Sequence, residues 1–74
     1  MENLEKLTKE MAIKEVAEIR NIASDDEAAH SNEDSLYYWF ICCVADGMYE
    51  KDEAAEVANI VKSTSEIEFA RWCA

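Results

Sequence analysis

Apolar residues in the first third of the chain recur at three- and four-residue steps: Leu4, Leu7, Met11, Val16, Ile19 and Ala23, widened by Ile13 and Ile22. That spacing places them on one stripe and predicts an amphipathic helix over Asn3 to Ala23. Asn3 is positioned to cap its start, and Glu2, Glu5, Lys9 and Lys14 supply charged pairs to its outer face. The pattern breaks at Ser24-Asp25-Asp26-Glu27. From Leu36 to Ala45 it gives way to ten consecutive apolar or aromatic residues, LYYWFICCVA. Successive helical residues turn by about 100°, so this run wraps the full circumference of a helix. Such a helix is either the centre of its bundle or is completed by another chain, and both readings stand.

Ser24 with Glu27 has capping-box spacing, as does Ser31 with Asp34, where Asp replaces the usual Glu or Gln. The second helix therefore starts near Asp25 or near Asn32, and it ends at Ala45 or Asp46, ahead of Gly47. Asp52 is placed to cap a third helix over Glu53–Lys62, with Ala54, Val57, Ala58 and Val61 facing inward. Ser63-Thr64-Ser65 interrupts again. A last short helix, EIEFARWCA, would dock Ile67, Phe69, Ala70, Trp72 and Cys73. Pro is absent and Gly occurs once, which suits helices and not hairpins. The expected architecture is one all-α domain over residues 1–74: three main helices and a short C-terminal one.

Charge changes this picture by its distribution. The net charge is −10, and residues 25–56 hold ten acids against Lys51 alone. Such a field repels phosphate, so direct nucleic-acid binding and an anionic membrane are not expected, and a basic protein is the natural partner. Three cysteines, two of them adjacent in the apolar run, suit buried thiols in a reducing cytoplasm and not a secreted disulfide framework. The N-terminus runs directly into charged helix, so no signal peptide is expected. The apolar run is about half the length that spanning a bilayer needs. A cytoplasmic protein is expected.

Candidate chemistry is sparse. On a continuous helix Glu27, His30 and Asp34 share one face, with Glu33 alongside. Glu-x-x-His is a ligand pair of carboxylate-bridged di-metal bundles, but those need a second His, and this chain has one. A mononuclear metal or small-ligand site at Glu27, His30, Glu33 and Asp34 is the alternative reading. Cys42 and Cys43 point in different directions on a helix and read as buried filler. Without a phosphate loop, a nucleophile elbow or a Cys-x-x-Cys pair, no enzyme and no cofactor is expected. Arg71 could reach Glu27, Glu33 or Asp34, in a contact that would be structural.

The acidic cluster (Asp25, Glu27, His30, Glu33, Asp34), the aromatic helix and the ending Glu66–Ala74, with its terminal Phe-Ala-Arg-Trp-Cys-Ala, resemble a group of small uncharacterised phage and bacterial proteins. The resemblance spans roughly the last fifty residues and implies a phage or prophage setting, with no mechanism attached. Together these readings lead to a non-enzymatic acidic interaction protein, a phage or prophage accessory factor that binds a basic host protein. Two versions of the acidity stand: mimicry of nucleic acid, or simple solubility. The expected contact residues are Asp25, Asp26, Glu27, Glu33, Asp34, Tyr37, Tyr38, Asp46, Glu50, Asp52, Glu53 and Glu56. Self-association into a homo-oligomer through Leu36–Val44 is expected as well.

Overall fold

The computed structural model describes residues 5–71. Their helices are α1 (Lys9–Asn21), α2 (Asp26–Ala45) and α3 (Glu53–Lys62), the last extended by one 3-10 turn at Ser63–Glu66. The all-α class and the three main helices are as expected. Leu4, Trp72, Cys73 and the proposed Asn3 cap lie outside the described residues.

The first helix begins later than its periodicity implied. Thr8 is the cap, its hydroxyl accepting from Met11 N–H at 3.2 Å. Residues 5–7 precede the helix and find their partners on α2 and just beyond it. Trp39 Nε1 donates to Glu5 O at 2.7 Å, and Tyr49 Oη donates to Leu7 O at 2.7 Å. Leu7 N–H donates to Cys43 Sγ at 3.3 Å, and Leu7 is fully buried. Its four-residue spacing from Met11 reads as helical, although it reaches the core from non-helical chain. From Thr8 onward Ala12, Val16 and Ile19 form the inner line, and Ile13, expected to widen the apolar stripe, faces outward.

The earlier of the two starts proposed for α2 is the one adopted. Asp25, and not Ser24, is the cap and accepts from Ala28 N–H at 3.2 Å. Ser31 and Asp34 therefore lie inside the helix. At the other end Gly47 has φ of 66°, Gly47 N–H bonds to Val44 O and Met48 N–H to Cys43 O. Those two bonds form a Schellman closure, which satisfies the last carbonyls of α2 and turns the chain toward α3. Asp52 sits at the α3 cap position without making a capping bond. Instead Glu53 Oε1 accepts from Glu50 N–H at 3.1 Å.

The core joins one stripe from each helix: Ala12, Val16 and Ile19 of α1, Ala29, Leu36 and Cys43 of α2, and Val57 and Val61 of α3, with Leu7 and Ile67 closing the ends. Phe40 packs on Tyr49 with ring centroids 5.7 Å apart. Burial, foremost, and then the neighbouring Cys43 push the Tyr49 phenol up, so it stays a hydrogen-bond donor to Leu7. The last described residues depart from the expected helix. Ile67–Arg71 run without helical structure after the 3-10 turn, and Ile67 is buried from that extended segment. Ser63 Oγ donates to Ile60 O at 2.6 Å and tightens the turn that ends α3.

Gly47 has open space where a Cβ would sit, so any cost of substitution there comes from its backbone. Gly47→Ala should cost about 1–2 kcal/mol and Gly47→Asn distinctly less, since Asn tolerates the left-handed region. Urea unfolding midpoints of the two variants check this ordering.

Candidate functional site

The most elaborate polar arrangement lies under the C-terminal segment. Glu33 projects from α2 into the protein and is 4 % exposed. Arg71 meets it with two parallel bonds, Nε to Oε1 at 2.9 Å and Nη2 to Oε2 at 3.1 Å. Arg71 Nη2 also donates to Thr64 O at 2.8 Å and Ile67 O at 3.1 Å, so one guanidinium gathers the carbonyls of the chain leading to it. The same guanidinium lies 3.9 Å over the Phe69 ring. Tyr37 Oη is 2.9 Å from Thr64 Oγ1 and donates to Glu33 Oε2 at 3.5 Å. Asp26 adds a second tie by accepting from Ala70 N–H at 3.1 Å.

This network explains the charge state of Glu33. Burial by itself raises a carboxyl pKa, but the bonds from Arg71 and Thr64, with the Arg71 charge, outweigh it and hold Glu33 below the usual carboxylate range. The Glu33 bonds in turn push Arg71 up. Protein groups meet both Glu33 oxygens and all three Arg71 nitrogens. The pair holds the terminal segment across α2.

The remaining candidates fall elsewhere. Glu53 and Glu56 of α3 are met from the α1 side, Lys6 Nζ lying 2.7 Å from Glu53 and Lys9 Nζ 3.6 Å from Glu56. The Lys6 bond holds Glu53 below its ordinary pKa. His30 is mostly covered, with Nε2 3.6 Å from the exposed Asp34. Glu27 is exposed and Glu33 has turned inward, so the four residues of the alternative ligand site do not converge. Among the described residues, no three His, Cys, Asp or Glu side chains form a metal-binding group. Asp25 is spent on capping α2, while Asp46, Glu50 and Asp52 are exposed around its far end. Tyr37 turns in to Thr64, whereas Tyr38 is 54 % exposed.

The outer face of α2 is the surface that sequence reasoning left undivided. Its apolar run is buried along one stripe only, while Tyr38, Ile41 and Val44 remain about half exposed or more. Counting about 100° per residue from Tyr38, the positions of Glu27, Asp34, Ile41 and Ala45 fall within about 60° of it. An apolar strip therefore continues from an acidic one along the same helix. Beside it, Tyr37, Phe40 and Ile41 face Ala58, Val61 and Lys62 of α3 across an open groove of about 350 Å³. Among the described residues no helix is long and apolar enough to cross a membrane.

The fold and these surfaces define a small three-helix domain with an acidic, partly apolar outer face. No family model, curated protein or solved structure matches the chain.

Arg71→Ala leaves Glu33 buried without its partner and should cost about 2 kcal/mol, or roughly 10 °C in Tm, because Arg71 is itself partly exposed. Glu33 has a lowered pKa in the fold. Its contribution is therefore fully present above its unfolded value of about 4.3 and is lost as pH falls through the lower folded value. Thermal melts of wild type and Arg71→Ala should differ most at neutral pH and converge on acidification.

Proposed function

We propose that this chain is a non-enzymatic acidic interaction protein that engages a basic surface on another protein, in the phage or prophage accessory setting that its C-terminal motif resembles. The observation that carries the reading is the way the fold divides its carboxylates. Glu53 and Glu56 are neutralised by Lys6 and Lys9, and Glu33 by Arg71. Asp25, Asp26 and Glu27 stay exposed at the start of α2, as do Asp46, Glu50 and Asp52 around its end. The excess negative charge is thus concentrated at the two ends of one 20-residue helix, about 30 Å apart. Such paired negative fields raise the encounter rate with a cationic partner and disfavour phosphate backbones and anionic lipid.

Mimicry of nucleic acid receives less support than a mixed contact. A phosphate track is continuous, whereas here Tyr38, Ile41 and Val44 separate the acids. Solubility alone would equally suit charge spread evenly over the surface, and the local pairing of α1 with α3 leaves it uneven.

Oligolysine without apolar residues is a suitable probe. The full chain should bind it, with affinity falling at least about tenfold as salt rises and the Debye length shrinks from about 10 Å to 3 Å. Replacing Glu27, Asp46 and Glu50 together by their amides should weaken binding more than Glu53→Gln with Glu56→Gln. Calorimetric titration at two salt concentrations separates these outcomes, and binding that ignores salt would overturn the proposal.

A further inference from the structure

Resting on that reading, we propose that Glu33, Tyr37 and Thr64 form a guanidinium receptor, which Arg71 fills within the chain and which an arginine of the basic partner fills by displacing it. The receptor belongs to the body of the fold. Glu33 and Tyr37 stand on α2 and Thr64 in the 3-10 turn, and Glu33 and Thr64 are both buried. Three acceptors converge there on one guanidinium. Glu33 Oε1 accepts from Nε at 2.9 Å, while Glu33 Oε2 and Thr64 O accept from Nη2 at 3.1 and 2.8 Å. A flat fork of donors fits that set, and the point charge of a lysine does not. Tyr37 Oη, bonded with Thr64 Oγ1, lies 3.5 Å from Glu33 Oε2 and backs the carboxylate.

The occupant is held differently from the receptor. The Arg71 side chain keeps 34 % exposure against 5 % for Glu33, so the site opens to solvent on the side from which the guanidinium enters. Ile67 is buried, but beyond it Glu68 is exposed and Phe69, Ala70 and Arg71 are only half-buried. That stretch is tied to α2 by Ala70 N–H on Asp26 and by Arg71 itself. Ile67 O, Phe69 O and the Phe69 ring also touch Arg71, but they belong to the segment itself. Few buried apolar contacts make a short segment easy to open locally. Opening alone strands a buried carboxylate, and that cost keeps the segment down. Exchange avoids the cost, because an incoming guanidinium takes over the same three acceptors. Asp26 and Glu33 lie about 20° apart round α2 and about 10 Å apart along it. A partner drawn to the exposed acids Asp25, Asp26 and Glu27 therefore arrives beside the receptor.

Thermal melts of the full chain test the receptor, with L-argininamide as the probe and L-lysinamide as a control of equal charge. Argininamide at saturation should recover at least about 4 °C of the Tm that Arg71→Ala loses. Lysinamide should recover none of it. Argininamide should not shift wild type, whose site is full, or Arg71→Ala combined with Glu33→Gln. Calorimetry with oligoarginine and oligolysine of equal length tests the exchange. Arg71→Ala should bind oligoarginine at least about fivefold more tightly than wild type does, while oligolysine changes by less than about twofold. Arg71→Lys keeps the charge and loses the fork, so it should show the same preference and carries the comparison if Arg71→Ala does not fold. Melts that do not distinguish argininamide from lysinamide would overturn the receptor, and oligolysine binding would leave the charge reading standing. Rescue by argininamide without a gain for oligoarginine would overturn the exchange. If neither oligopeptide binds any of the chains, the charge reading falls and the exchange with it.

Discussion

A chain with one long central helix and two shorter ones does not enclose its own core, so non-helical segments must complete it. Those segments carry backbone polar groups that no helix satisfies, and an unpaired buried amide or carbonyl costs about as much as a lost hydrogen bond. α2 meets this constraint with its side chains. Trp39 and Cys43 serve Glu5 and Leu7 at the front of the chain, and Glu33, through Arg71, serves Thr64 and Ile67 at the back. The residues that made α2 look like a uniform apolar rod are therefore partly hydrogen-bonding equipment. No buried side-chain nitrogen or oxygen among the described residues lacks a partner.

The same constraint sorts the surface. A buried Glu is tolerable only because a guanidinium offers it two matched donors, and that geometry commits Arg71 to the interior pair. Lys6 and Lys9 lie where the start of the chain crosses α3 and are drawn to Glu53 and Glu56. Three bases are used to hold the fold together. The exposed remainder is negative in balance, with Asp25, Asp26 and Glu27 at one end of α2 and Asp46, Glu50 and Asp52 around the other, while Tyr38, Ile41 and Val44 stay uncovered in its second half. Structural pairing and the proposed binding face are two results of one allocation of charge.

Much of the element order was legible because it rests on local chemistry. The α3 boundaries follow from its stripe and the serines after it, and Gly47 ends α2 because the Schellman turn needs a left-handed residue. The start of α1 was not legible, since Leu7 keeps helical spacing with Met11 while its amide is bound by a thiol 36 positions away. Ser65 and Glu68 likewise stand at capping-box spacing, yet no α-helix follows them. The Arg71–Glu33 bonds and the Asp26 tie across the segment are non-local, and they favour an extended path.

The candidate site divides in the same way. That α2 was too apolar to be covered by one neighbour, that carboxylates crowd around it, and that Arg71 could find one of three acids were all contained in residue order and periodicity. Which acid it finds, which faces of α2 remain open, and which carboxylates keep their charge were decided only by tertiary structure. The physical reason is that periodicity specifies a residue's angle about its own helix, whereas burial and ion pairing depend on what another segment brings opposite that angle.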